Sequence, residues 1–202
     1  MRRLTALATL ALLFAVAACT EGGGDDPTET PSGDASSGAP EPTAPVELAL
    51  EPPSGFTAAS GEDRAVLLAE EHVSYVFYVA GAEGGKDKIT VTSYLLSEGA
   101  DTSTYDLQAG IVTDYFSKLG STVSLDNFHP ALVHREEGIY RYGETTLDGV
   151  EVKWRDYFIF ADRYLINITC QWDAYYAQVE TACAGLTESF PYPEAWAAAE
   201  TA

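Results

Sequence analysis

The dipeptide Asp148-Gly149 is the feature that most restricts how this chain can fold. It lies between two runs rich in aromatic and β-branched residues, 139–147 and 150–160. An Asp-Gly pair in this setting is typical of a type I′ turn, because both central positions of that turn need a positive φ angle. The sequence therefore predicts a long antiparallel hairpin in which Leu147 pairs with Val150.

This register assigns each residue of the first strand a partner on the second. It creates two opposite-charge pairs and one aromatic–cation pair: Arg141 with Asp156, Glu144 with Lys153, and Tyr142 with Arg155. Cross-strand pairs of these kinds stabilise sheets. Gly143 would lie opposite Trp154, whose ring could cover the bare backbone. Because Asp156 interrupts an otherwise apolar face, we interpret Arg141 and Asp156 as a structural ion pair without a catalytic role.

A third strand, Tyr164–Trp172, is predicted to extend the hairpin into a meander. The chain reaches it through the turn Ala161-Asp162-Arg163. A three-residue loop pairs Phe158 with Ile166 and keeps the large apolar side chains on one face of the sheet. A two-residue loop would put them on opposite faces, so we expect the longer loop.

Two helices are expected outside the meander. The first begins at a cap formed by Ser103 or Thr104 and ends near Leu119, and the second is capped by Asp173 and ends near Phe190. Their expected buried stripes are Leu107, Ile111, Tyr115 and Leu119 in the first helix, and Tyr175, Tyr176, Val179, Cys183, Leu186 and Phe190 in the second.

A second hairpin completes the predicted domain. The segments 73–80 and 89–96 are rich in β-branched and aromatic residues and flank a turn rich in glycine. A hairpin, a helix, a meander and a final helix together predict an α+β domain over residues 47–197. We expect an antiparallel β-sheet with helices packed on it.

The N-terminal residues have the features of a bacterial lipoprotein signal. Arg2 and Arg3 precede an apolar stretch that is short for a bilayer span and ends in Val16-Ala17-Ala18-Cys19. Small residues before a cysteine resemble the lipobox, in which that cysteine receives a diacylglyceryl group. We therefore predict a signal peptide over 1–18 and lipidation of Cys19. The alternative is an ordinary secretory signal that happens to end in cysteine.

Residues 19–46 are predicted to be the lipidated cysteine and a disordered acidic tether. From 20 to 44 the chain contains only Gly, Pro, Ser, Thr, Ala and acidic residues. No large apolar side chain is present there to offset the entropy of ordering the backbone. The sequence thus predicts an extracytoplasmic protein, lipid-anchored to the outer face of the cell membrane.

The acidic composition excludes whole classes of partner. Asp and Glu outnumber Lys and Arg by 31 to 11, and the formal net charge of −20 becomes −22 when Arg2 and Arg3 leave with the signal. Nucleic acids and anionic lipid headgroups both attract basic surfaces, so we expect no nucleic-acid partner and no adhesion to anionic lipid. An envelope protein or a small ligand remains as the expected partner.

The two remaining cysteines, Cys170 and Cys183, are expected to form a disulfide. The second helix must fold back over the strand that precedes it, which brings the two thiols close together. Exported proteins mature in compartments that permit disulfides. The alternative is a pair of buried free thiols that pack as small hydrophobic groups.

The order of elements resembles the PsbP-like α/β/α sandwich. The segments Tyr140–Gly143, Asp148–Val150 and Tyr164–Cys170, with Cys183 and Ser189-Phe190 behind them, are similar to the LpqN-type lipoproteins of high-GC Gram-positive bacteria. The resemblance covers roughly residues 47–192. It implies a non-catalytic envelope lipoprotein that acts through protein or ligand contacts, and it brings no catalytic residues.

A search for linear catalytic motifs gives no enzyme class. The chain has no nucleophile elbow, zinc-protease motif, phosphate loop or dinucleotide fingerprint, so we assign no cofactor, metal or catalytic residue. His72 and His134 lie beside carboxylates, which is typical of solvated faces. A binding or scaffolding module is the favoured hypothesis. A carrier of a small apolar ligand, or a hydrolase whose site has no linear motif, remains open.

The tyrosines of the meander leave one further alternative. Tyr140, Tyr142 and Tyr157 are expected on the face opposite the proposed core. Either a helix covers them, or they form an exposed aromatic patch for a partner.

Replacement of Cys19 by Ser should abolish retention of the protein in the membrane. The hydroxyl cannot take the place of the thiol that receives the diacylglyceryl group, so the acyl anchor would be absent. Detergent phase partitioning of the wild-type and Cys19→Ser proteins measures this. Full partitioning of the variant into the detergent phase would show that the lipobox interpretation is wrong.

Overall fold

A computed structural model describes residues 42–59, 68 and 71–199. The strands in these ranges are β1 (Phe56–Ala59), β2 (His72–Val79), β3 (Lys88–Leu95), β4 (His129–Val133), β5 (Glu136–Leu147), β6 (Val150–Ala161) and β7 (Tyr164–Trp172). They form one antiparallel sheet in the order β1-β2-β3-β7-β6-β5-β4. The pairing of β3 with β7 joins the first hairpin to the meander.

The helices are α1 (Tyr105–Lys118), α2 (Tyr176–Glu188) and the short α3 (Glu194–Ala199), with one 3-10 turn at Leu125–Asn127. Strands hold 40% of the described residues and helices 23%, so the fold is dominated by its sheet. The predicted α+β class, with its α/β/α sandwich, is therefore wrong. The edge strands β1 and β4 were not predicted, because one has four residues and the other contains Pro130 and little alternation of polar and apolar residues.

The predicted hairpin around Asp148-Gly149 is confirmed. Both residues have positive φ angles, of 53° and 81°, as a type I′ turn requires. Leu147 pairs with Val150, and the register runs on without a bulge through all three predicted cross-strand pairs. A Cβ atom at Gly143 would lie 2.5 Å from Cζ2 of Trp154, so the indole does cover the bare backbone there.

The register predicted for the next turn is wrong. Ala161 pairs with Tyr164, which leaves a two-residue turn of Asp162 and Arg163, and Phe158 pairs with Asn167 in place of Ile166. The prediction assumed that only one face of the meander is covered. All nine residues of β7 are buried, so apolar side chains are accommodated on both of its faces.

The two faces of the sheet carry separate apolar clusters. One contains Phe158, Phe160 and Leu165 together with residues of α1. The other contains Ile159, Ile166 and their neighbours together with α2 and α3. Adjacent residues of a strand point to opposite faces, which is why neighbours such as Phe158 and Ile159 belong to different clusters.

The ends of α1 lie where the sequence predicts them. The hydroxyl of Thr104 accepts a hydrogen bond from the backbone N–H of Leu107, and Gly120 follows the helix with a φ of 75°. Its predicted buried stripe is only partly correct, because Leu107 and Leu119 are exposed while Tyr115 is buried. A spacing of four residues drifts by about 40° per step around a helix of 3.6 residues per turn, so the ends of the stripe rotate away from the sheet.

The disulfide between Cys170 and Cys183 is confirmed. It joins β7 to α2 across a Cα–Cα distance of 6.1 Å, and both residues are almost completely buried. On the same helix Val179 is buried, as predicted, whereas Tyr175 and Tyr176 are about half exposed.

The chain enters the domain beside the turn between β6 and β7. Arg163 donates a hydrogen bond to the carbonyl of Pro42, and Val46 and Leu48 are buried in the cluster on the α2 side. No helix among the described residues is long and apolar enough to cross a bilayer. The predicted signal, Cys19 and most of the tether lie outside the described residues.

Replacement of Cys183 by Ala should lower the free energy of unfolding by about 3 kcal/mol, because the disulfide closes a short loop and restricts the unfolded chain. Urea unfolding of the oxidised wild-type and variant proteins measures this. Wild-type protein reduced with dithiothreitol is the matched control and should lose a similar amount. Equal stability of the oxidised and reduced wild-type proteins would contradict the prediction.

Candidate functional site

A groove of about 440 Å³ opens where β7 ends and the chain turns into α2. It is lined by Tyr142, Glu151, Lys153, Arg155, Trp172, Asp173 and Tyr176. Strands β5, β6 and β7 and the start of α2 all contribute, so the groove exists only once the meander and the helix have packed together. We refer to it as the aromatic groove.

Three aromatic rings form its apolar part. The ring of Trp172 lies between those of Tyr142 and Tyr176, with centroid distances of 6.2 Å and 5.3 Å. Trp172 is only 5% exposed, whereas Tyr142 and Tyr176 are 44% and 49% exposed. A buried indole with an exposed phenol on either side offers a partner apolar ring faces and polar hydroxyl groups together.

The two cations of the groove are held by carboxylates of the same chain. The Lys153 ammonium lies 3.1 Å from a Glu151 carboxylate oxygen, and that hydrogen bond raises the pKa of Lys153. Arg155 pairs with Glu180 of α2, and its guanidinium lies 5.9 Å from the centroid of the Trp172 ring. Burial opposes the charge of Arg155, but the Glu180 carboxylate keeps its pKa above the usual value.

Asp87 holds the turn that forms one wall of the groove. Its carboxylate accepts hydrogen bonds from three successive backbone N–H groups, of Asp173 at 3.1 Å, Ala174 at 3.2 Å and Tyr175 at 2.7 Å. Asp87 is only 3% exposed, and burial is the main cause that raises its pKa, followed by the adjacent carboxyl of Asp173. Asp87, which directly precedes β3, thus holds the start of α2, whereas the sequence predicted Asp173 as the cap of this helix.

The predicted pair of Arg141 and Asp156 lies outside this groove, on the α1 side of the sheet. The two residues are cross-strand partners, and the Arg141 guanidinium lies 4.0 Å from the centroid of the Phe116 ring. Burial lowers the pKa of Arg141, and the charge of Asp156 acts in the opposite direction. Asp156 is buried and accepts a hydrogen bond of 2.5 Å from the hydroxyl of Thr169.

The predicted pair of Glu144 and Lys153 lies at the groove. The register places the two residues opposite each other, but the ammonium of Lys153 makes its short contact with Glu151. Glu144 makes a smaller contribution to the raised pKa of Lys153. Its carboxylate is therefore an additional negative charge at the groove margin.

The three tyrosines of the meander differ in exposure. The rings of Tyr140 and Tyr157 pack on each other with a centroid distance of 5.3 Å, and both are partly buried. Burial raises the pKa of Tyr157. Tyr142 is the exposed member and lines the aromatic groove.

Neither His134 nor His72 lines any of the three grooves found on the described part of the chain. The Nδ1–H of His134 donates a hydrogen bond to the backbone oxygen of Glu188 at 2.9 Å, and its Nε2 accepts one from the Nε–H of Arg135 at 3.1 Å, which places His134 at the C-terminal end of α2. His72 has its ring 6.4 Å from that of Tyr94. No group of three or more His, Cys, Asp or Glu side chains in the described part of the chain is arranged to hold a metal ion.

Two larger grooves lie elsewhere on the described surface. One, of about 720 Å³, runs along β4 and contains Leu132, Arg135 and Glu137. The other, of about 580 Å³, lies against α2 and is lined mainly by small and aliphatic residues. Tyr105 and Phe160 line the groove along β4, but no contact between their rings is present among the described residues, and the groove against α2 has no aromatic lining. The aromatic groove, with three rings in contact beside fixed charges, is therefore the candidate site.

Sequence reasoning missed most of the groove. From the sequence, Trp172 was predicted only as the last residue of a strand and Tyr176 as part of a buried stripe, and Asp87 was given no role. A Tyr-Tyr pair at the first turn of a helix, directly after a strand that ends in Trp, is the local signal that could have indicated an exposed aromatic cluster. The contribution of Asp87 had no local signal, because it lies about 90 residues from the turn that it holds.

No protein-family model and no curated protein matches the chain. Among solved structures, the chain is similar to a crystal structure from Bacteroides thetaiotaomicron VPI-5482, with a TM-score of 0.45 and 7% sequence identity. The match covers 71% of this chain and 44% of the other, so the chain spans less than half the length of that protein.

Two substitutions of Asp87 should separate the effect of its hydrogen bonds on stability from the effect of its raised pKa. Asp87→Ala removes the acceptor of three N–H groups and should lower the free energy of unfolding by about 1–3 kcal/mol. Asp87→Asn keeps an acceptor oxygen. The raised pKa means that the folded protein holds the Asp87 proton more tightly than the unfolded chain, so the wild type loses stability as the pH rises from about 4 through that raised pKa. Asp87→Asn has no ionisable group at this position, so it should not lose stability over this pH range for this reason.

Urea unfolding between pH 4 and pH 7 measures both effects. The free energy of unfolding of Asp87→Asn, relative to wild type, should rise with pH. Asp101→Asn is the matched control, because hydrogen bonds from Ser103 lower the pKa of Asp101 and its substitution should show the opposite trend. Parallel pH profiles for wild type and Asp87→Asn would contradict the prediction.

Proposed function

We propose that this chain is a lipid-anchored extracytoplasmic protein that binds a partner at the cell envelope without catalysis, and that the aromatic groove is its binding surface. The observation that carries the proposal is the pair of exposed tyrosines on either side of a buried tryptophan. Tyrosine and tryptophan are enriched where proteins meet their partners, because they bury a large area with few rotatable bonds.

The chemistry of the groove favours binding over catalysis. The lining includes no Ser, Cys or His that could act as a nucleophile or general base. Lys153 can act as a nucleophile only when it is deprotonated, and its raised pKa keeps it protonated. Its charge is held against Glu151, and that of Arg155 is held against Glu180. Charged groups fixed in this way orient a partner and are poor at transferring protons.

The anchored location is proposed from the N-terminal lipobox pattern and the tether. The similarity to LpqN-type lipoproteins in the segments around Tyr140–Gly143 and Tyr164–Cys170 is consistent with a protein of this kind. The disulfide between Cys170 and Cys183 fits maturation outside the cytoplasm.

Photo-crosslinking in the cell that makes the protein tests the proposed binding surface. Replacement of Tyr142 or Tyr176 by benzoyl-phenylalanine should give a covalent adduct with a discrete mass after irradiation. The same replacement at Tyr105, which is 41% exposed but lies outside the groove, is the matched control and should give none. A thiol titration that finds Cys170 and Cys183 oxidised shows that each variant is folded. If folded variants give no adduct from either groove position, the proposed function is wrong.

A further inference from the structure

We propose that the aromatic groove takes a cationic group, namely a lysine or arginine side chain of a partner protein. This inference rests on the proposed function, because it names the chemistry of the partner that the groove would bind. It follows from the distribution of charge, the exposed ring faces and the position of the groove in the domain.

The charges of the groove leave a surplus of carboxylates. Lys153 and Arg155 each have a carboxylate partner within the chain, Glu151 and Glu180. Asp173 lines the groove, where its carboxyl group accepts a hydrogen bond from the N–H of Ala174 and adjoins the carboxyl of Asp87, and no ion pair of Asp173 is present among the described residues.

Glu144 adds a second negative charge across from Lys153, and no ion pair of Glu144 is present among the described residues. The groove and its margin thus contain four carboxylates, of Glu144, Glu151, Asp173 and Glu180, against the two cations Lys153 and Arg155, and a cation that enters meets this surplus of negative charge. An anionic group would be repelled by this surplus of carboxylates.

The rings favour the same occupant. A cation over the face of an aromatic ring is attracted by the negative charge of that face. Arg155 already lies over the buried ring of Trp172 at 5.9 Å, so this cluster accommodates a guanidinium. The rings of Tyr142 and Tyr176 are exposed and remain available to a cation from outside.

The charge of the whole chain disfavours a second copy as the occupant. A formal net charge of −20 makes two copies repel each other, whereas it accelerates the approach of a basic partner. Complementary charge of this kind acts mainly on the association rate and on the choice of partner.

The net negative charge disfavours an anionic bilayer as the occupant. The chain enters the domain at Pro42, which contacts Arg163 at one end of β7, and the groove lies at Trp172 at the other end. Eight residues of strand separate the two ends by roughly 26 Å.

Calorimetric titration with short charged probes tests the proposal. The full-length protein is kept in a polyoxyethylene detergent at about 0.15 M salt, so that charges more than about 8 Å apart are screened. The probes are tetralysine, tetraglutamate and the neutral sugar maltotetraose. Tetralysine should bind saturably with one site, and the other two probes should bind at least tenfold more weakly.

Substitutions in the groove identify the site of binding. Tyr142→Leu combined with Tyr176→Leu keeps apolar bulk but removes the ring faces, and should weaken tetralysine binding about tenfold. Glu144→Gln should weaken it several-fold. Tyr105→Leu and Glu98→Gln remove an equally exposed ring and an exposed charge outside the groove, and both should leave the affinity unchanged.

Three results would overturn the cationic partner. These are tighter binding of maltotetraose or tetraglutamate than of tetralysine, equal loss of affinity in the control variants, and no loss in the double tyrosine variant. Each would leave the photo-crosslinks at positions 142 and 176 in place, so that binding at the groove would stand and only the chemistry of the partner would change. Absence of the crosslinks themselves would instead disprove the proposed function.

Discussion

The pairing of β3 with β7 is the interaction on which the rest of the structure depends. Eight successive residues of β3 pair with β7, and this is the strand pairing that joins the hairpin of β2 and β3 to the meander of β5, β6 and β7 in the described sheet. It places β7 near the middle of the sheet, where both faces are covered. At one end of this ladder Lys88 pairs with Gln171, and at the other end Leu95 pairs with Tyr164. Both pairs join residues that are about 70 or more positions apart in the chain, so the pairing is entirely non-local.

A strand buried on both faces must satisfy its polar groups within the protein. The face of β7 that includes Asn167, Thr169 and Gln171 is buried. Asn167 donates to the carbonyl of Tyr157, Thr169 to Asp156, and Gln171 to the carbonyl of Lys86. Buried polar groups that find partners in this way favour one register over its neighbours, because a slip by one residue would leave them unpaired.

The same central position of β7 creates the aromatic groove. Because β7 lies between β3 and β6, the chain that leaves Trp172 passes directly beside the turn before β3, where Asp87 holds it. The helix that follows is fastened to β7 by the disulfide. Tyr176 and Glu180 are thereby brought beside Trp172 and Arg155, which lie on two different strands.

By itself, the sequence determined the local features of this protein. The Asp-Gly turn set the register of β5 and β6, the cap at Thr104 and the glycine at 120 set the ends of α1, and the spacing of Cys170 and Cys183 indicated their disulfide. Each of these depends on neighbours in the chain or on one strand folding back on the next. Only the tertiary structure decided the two-residue turn at Asp162-Arg163 and the groove, because these depend on what covers the two faces of β7. It also decided the edge strands, whose own sequences are too short or too irregular to indicate a strand. The sequence shows that a side chain is apolar, but the segments that pack over each face of the sheet lie far away in the chain.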